Sequence, residues 1–204
     1  MALVSPYCDV VTARLADVID AMDAGFAGDR PRTWVNPHPN MQPPSDAEYS
    51  RLPDPAKYAT VQQRCRAWIT ALLDADLATS QSTWQKLEPW GRVETLELTP
   101  TAPEAVRLFV HFTVDYLPGV VLALGDPMGI ITTVPACGCD ACDDGSAQLL
   151  EEIDNVFTSI LLGVAVVEHT TASRRVVLIG QESGSTGDQD GVVGRWAGQA
   201  WLVP

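Results

Sequence analysis

Four stretches of the chain carry a clear period. Tyr7, Val11, Leu15, Val18 and Met22 recur at helical spacing behind Ser5-Pro6, a capping residue followed by proline at the first helical position. They predict a helix from about Pro6 to Ala24, with Gly25 as its C-cap and Phe26 as the apolar companion of the cap. Asp54-Pro55 repeats the start signal, and Tyr58, Val61, Cys65, Trp68 and Leu72 follow as a second stripe. Cys65 lies on that stripe, where a thiol acts as a small hydrophobe.

From Gly91 the period changes from helical to two-residue. Leu96 and Leu98 flank Glu97. Val106, Leu108, Val110, Phe112 and Val114 then alternate with Arg107, Phe109, His111, Thr113 and Asp115. The turn Leu117-Pro118-Gly119 leads to Val120 to Leu124, and Gly125 to Gly129 turns again into Ile130 to Val134. This is an antiparallel meander. His111 falls on its polar side and is expected at a surface or on a sheet face.

Leu149, Leu150, Ile153, Val156, Phe157, Ile160 and Leu161 predict a third helix of about four turns, ended by Gly163. Asp143, Asp144 and Ser146 crowd its start, where carboxylates and hydroxyls satisfy free amides. Val164 to His169 and Arg174 to Ile179 read as strands joined by the turn Thr170 to Ser173, and Trp196 to Val203 as a last strand. The expectation is one α+β domain over residues 1–204, a mainly antiparallel sheet with packed helices.

Two segments break the pattern. Residues 28–55 hold seven prolines, which exclude a regular helix or a central strand. Trp34 and Tyr49 are expected to pin this long loop to the body, and His38 is expected to be exposed. Residues 182–191 are rich in Gly, Ser and Asp and read as a flexible loop.

The net charge is −13 over 204 residues. Such a surface repels phosphate backbones and anionic headgroups, so neither nucleic acid nor membrane is the expected partner. The N-terminal residues have no basic segment followed by a long apolar one, and the longest nearly apolar run, Val156 to Val167, is too short to span a bilayer. The expected location is the cytoplasm, where thiols stay reduced.

Reactive side chains concentrate at Pro135-Ala136-Cys137-Gly138-Cys139-Asp140-Ala141-Cys142-Asp143, which holds three of the five cysteines. A C-x2-C turn brings two sulfurs to one point, so Cys137, Cys139 and Cys142 are candidate zinc ligands. A fourth ligand would come from Cys8, Cys65, a histidine, Asp140 or Asp143. The same residues allow a redox reading, with Cys139 and Cys142 as a dithiol activated by the helix that follows. They also allow a plain strand-to-helix turn in which the thiols only pack. Motifs for a nucleophile elbow, a phosphate loop or a zinc protease are absent, and Asp188-Gln189-Asp190-Gly191 is only a fragment of a calcium loop.

Tyr49-Ser50-Arg51-Leu52-Pro53-Asp54-Pro55, Pro118-Gly119-Val120-Val121 and the Cys137 to Asp143 knuckle together resemble a family of uncharacterised actinobacterial proteins, a domain of unknown function. The resemblance covers about residues 49 to 163, with Leu52-Pro53-Asp54 where that family has Val-Thr-Asn. It implies no activity and no catalytic residue. The expected role is non-enzymatic interaction with a protein or small-molecule partner. A zinc-binding knuckle and a thiol redox enzyme or sensor are the alternatives.

Overall fold

The second apolar stripe sets the centre of the molecule. In the computed structural model, which describes residues 6–39, 43–115, 117–127, 129–170, 173–184 and 192–202, Tyr58, Val61, Cys65, Trp68 and Leu72 are all buried. The side chains of residues 6–9 and 192 lie outside the described set. All but Tyr58 belong to helix α2, Ala59–Asp74, entered through a single 3-10 turn, Pro55–Tyr58. Helix α1, Pro6–Gly28, packs on α2; helix α3, Ser146–Leu161, packs on its other flank. The expected cap at Ser5 falls outside the described residues. Gly25 does not end α1: the helix continues to Gly28, keeping Phe26 buried beneath the Arg64 guanidinium, 4.8 Å from the ring centre. The tertiary contact overrides the weak stop signal of a single glycine.

Helices α2 and α3 lie against a five-stranded sheet in the order β1-β2-β3-β4-β5, with every pairing antiparallel. Its strands are β1 Ala78–Leu87, β2 Gly91–Pro100, β3 Leu108–Thr113, β4 Gly119–Leu124 and β5 Ile130–Val134. Leu108, Val110 and Phe112 are buried in the core that the sheet shares with the helices. The sequence reading missed β1. Ser80, Gln81, Ser82, Thr83 and Trp84 are exposed, so this edge strand has no apolar alternation to betray it.

A second antiparallel sheet runs β8-β7-β6-β9, built from β6 Val166–Thr170, β7 Arg174–Leu178, β8 Gln181–Gly184 and β9 Val192–Ala197. Residues 182–184 are therefore strand rather than flexible loop, held by pairing with β7. Residues 185–191, with the calcium-loop fragment, and 171–172 lie outside the described set. The final strand is β9, earlier than the expected Trp196 to Val203. The chain leaves it to bury Trp201 and Leu202, whose Nε1 and backbone amide donate to the carbonyls of Val106 and Leu161. Val203 is outside the described residues.

His111 is not at a surface. It is fully buried, with Nδ1 2.8 Å from Thr95 Oγ1, because Phe109, Thr95, Val121 and Ala123 on the same sheet face are buried too. The architecture is α+β, and one apolar core takes residues from the three helices and both sheets. Among the described residues, no helix is long and apolar enough to cross a membrane.

Candidate functional site

The cysteine cluster forms where β5 runs out. Cys139 is extended (φ −73°, ψ 156°) and precedes a one-turn 3-10 helix, Asp140–Cys142. The Cys142 amide donates to the Cys139 carbonyl at 3.1 Å, which folds Cys142 back toward Cys139. The three sulfurs lie within 4.8 Å of one another, with Cys137 Sγ and Cys139 Sγ 3.3 Å apart. A tetrahedral metal with bonds of about 2.3 Å to sulfur needs sulfurs about 3.8 Å apart, inside that range. Cys137 and Cys142 are exposed and Cys139 is half-buried.

The thiols share protons unequally. The Cys139 backbone amide holds the Cys137 thiol below its ordinary pKa against the effect of burial, helped by the other two thiols and the Gly138 amide. Cys142 is pushed up to about 12, first by its hydrogen bond with Cys139, then by burial and by Cys137. Cys137 is thus biased toward thiolate and Cys142 toward thiol, and a cation among the sulfurs would favour the thiolate form.

The proline-rich loop is the clamp of this knuckle. The Arg51 carbonyl accepts from the Asp140 amide at 3.0 Å, and Arg51 Nε meets the Asp140 carboxylate at 3.2 Å. His38 is half-buried rather than exposed, because its Nε2 donates to the Asp140 carbonyl at 3.1 Å and lies 3.7 Å from Glu48. Glu48 is itself fixed by a capping box with Ser45. Trp34 pins the loop as expected, whereas Tyr49 is 58% exposed and does not.

Beneath the knuckle, the Asp143 carboxylate is buried. It accepts from Trp34 Nε1 at 2.8 Å, Lys57 Nζ at 2.5 Å and the Gly145 amide at 3.0 Å. Burial pushes this carboxyl up, but the Lys57 ammonium, the indole and the amide outweigh it and hold the pKa below the usual range. Asp143 is therefore the anchor of the clamp rather than a cap of α3. Ser146 is turned to the same use: its Oγ donates to the Trp34 carbonyl and accepts from the Trp34 amide. The Tyr58 hydroxyl donates to the Gly138 carbonyl at 3.3 Å. Its pKa is raised by burial first and then by the negative charge of Asp143, Cys137 and Cys139.

Among the described residues, no other His, Cys, Asp or Glu joins the three sulfurs. Cys65 is at 0% exposure inside the helix layer, its thiol pushed up by burial. His111 and His169 lie in the sheets, and Asp140 and Asp143 are engaged as described. The Cys8 side chain lies outside the described residues. The sequence reading missed Arg51 and Lys57. Lys57 had one signal, being one of only two lysines and standing directly before the stripe residue Tyr58.

A cavity of about 400 Å³ opens beside the cluster. Cys137, Gly138 and Cys139 form one wall, Arg51, Leu52 and Tyr49 another, and Pro89 and Trp90 from the β1–β2 turn a third. Thr113, Gly119 and Thr133 at the ends of β3, β4 and β5 also line it.

Fold and site define an α+β protein with a clamped three-cysteine cluster at the edge of a cavity. The chain belongs to DUF6226, a family of unknown function, whose model matches residues 22–201. No curated protein and no solved structure matches it.

Proposed function

We propose that this is a metal-dependent small-ligand-binding protein, without catalytic turnover of its own. Cys137, Cys139 and Cys142 bind one zinc ion as thiolates, and the remaining coordination position serves the cavity. The observation that carries the reading is the convergence of three sulfurs, two of them (Cys137 and Cys139) in a cavity wall, with no fourth protein ligand among the described residues. Structural zinc sites are closed by four protein ligands, whereas sites that handle a ligand keep a position open. A partner that fits is a small molecule of the cytoplasm rather than nucleic acid or membrane, in keeping with the net charge of −13.

Elemental analysis of the native full-length protein is expected to give one zinc per chain. A chelator should remove it, lower the melting temperature and expose three thiols together, since binding energy at such a site is folding energy. Cys137→Ser and Cys142→Ser should each lose the metal. Protein that is metal-free as isolated, and whose melting temperature ignores added zinc, rejects the proposal.

The redox reading draws support from the 3.3 Å approach of Cys137 and Cys139. It needs one ready thiolate in the Cys139–Cys142 pair, and Cys142, pushed up to about 12, is not that thiolate. Helix α3 begins only at Ser146, and its first amide is engaged by the Trp34 carbonyl. Rapid alkylation of a single cysteine at neutral pH, followed by formation of a Cys139–Cys142 disulfide, would favour that reading over zinc.

A further inference from the structure

We infer that the cavity beside the cluster receives a small organic thiol, bound to the metal as a thiolate; this rests on the zinc reading above. The donor set decides the ligand chemistry. Three thiolates are soft, strongly donating ligands, and they leave zinc a weaker acid toward water than imidazole ligands do. The open position therefore favours another soft donor over an activated water. A thiol arriving there gives up its S–H proton to solvent as the zinc–sulfur bond forms, and no electron is transferred.

The cavity walls agree with this chemistry. Among the described residues that line it there is no carboxylate to compete for the metal or to repel a thiolate. Apart from the metal and its own thiolates, the formal charge in the lining is Arg51, whose Nε already meets the Asp140 carboxylate at 3.2 Å. Leu52, Leu117, Pro135 and Trp90 supply an apolar surface for the body of the thiol, and the hydroxyls of Ser50, Thr113 and Thr133 supply points for orientation. At about 30 Å³ per water-sized group, the 400 Å³ volume takes a molecule of on the order of a dozen non-hydrogen atoms.

The test uses the full-length protein with cobalt(II) in place of zinc, titrated separately with benzyl mercaptan, phenylacetate and imidazole. Sulfur-to-cobalt charge-transfer absorption reports the number of thiolates. Benzyl mercaptan is expected to raise it by about a third, from three sulfurs to four, saturating at one equivalent with cobalt still on the protein after gel filtration. Trp90→Ala should bind cobalt as well as the parent protein and the thiol about tenfold more weakly. Cobalt bound at one equivalent with a spectrum indifferent to the mercaptan overturns this inference and leaves the metal reading standing. So does a response to phenylacetate or imidazole alone, or a mercaptan that strips the cobalt away. Failure to bind cobalt at all overturns both.

Discussion

Two aspartates in this chain accept from the same kinds of donor, an indole N–H and a cation, in very different surroundings. Asp154 on α3 takes Trp68 Nε1 at 2.7 Å and a bidentate fork from Arg64, Nε at 2.9 Å and Nη2 at 2.7 Å. Arg64 Nη1 continues to Asp23 on α1 at 2.7 Å. Asp143 takes Trp34 Nε1 and Lys57 Nζ. Every donor to Asp154 stands on α2, a regular helix whose backbone bonds are satisfied without the network. There the charges fix how three helices are turned against one another. The side-chain donors to Asp143 stand on a proline-rich loop and a single 3-10 turn, which have few backbone bonds of their own. There the network is most of what holds the segment in place. A carboxylate, an indole and a cation thus orient the scaffold in one region and build the site in the other.

Removing each carboxylate separates the two uses. Asp154→Ala leaves the Arg64 guanidinium, whose side chain is 11% exposed, with Asp23 alone and takes the partner of the buried Trp68 indole, and is expected to cost about 3 kcal/mol in urea unfolding. The reactivity of the cluster thiols in the folded protein should stay as in the parent. Asp143→Ala should cost less, about 2–3 kcal/mol, because the flexible Lys57 stem can turn its ammonium toward water. Its cluster thiols, however, should react several times faster with an alkylating reagent. Equal thiol reactivity in the two variants would erase the contrast.

Gly145 probes the clamp without touching a charge. It sits at φ +86°, and a Cβ there would lie 2.6 Å from the Asn36 amide nitrogen. Gly145→Ala is expected to cost about 1–3 kcal/mol and to loosen the knuckle as Asp143→Ala does. Unchanged unfolding and unchanged thiol reactivity would show that the loop moves aside freely.

The smallest expected effect is the response to mild acid. Asp143 has a depressed pKa, so its contribution is present above the unfolded carboxyl value of about 3.9 and is lost only as pH falls through the folded value. His111 is held below its ordinary value by burial, partly offset by the Pro127 backbone, and His169 by burial and then Arg174. Their neutral forms stabilise the fold above about pH 6.5, and that stability is lost as pH falls through the folded values. Melting temperature should decline modestly from pH 7 to pH 5 while thiol reactivity, corrected for the free-thiolate fraction, stays constant. A loss of thiol protection in that window would place the acid-sensitive contact in the clamp instead of the sheets.

What the sequence determined by itself is the part of the fold with a local period. The stripe from Tyr58 to Leu72, the meander from Leu108 to Val134 and the helix after the knuckle are legible because burial repeats every 3.6 or every two residues. The three clustered cysteines are legible because C-x2-C closes over a few residues. β1 was not legible, since an exposed edge strand has no buried face to leave a pattern. Nor were the partners of the knuckle. Lys57 and Trp34 stand 86 and 109 positions from Asp143, and their types alone name no carboxylate. Only the packing of the loop against the end of β5 and the start of α3 brought them within hydrogen-bond distance. A hydrogen bond between distant segments depends on where the chain returns, and that is settled by the core as a whole.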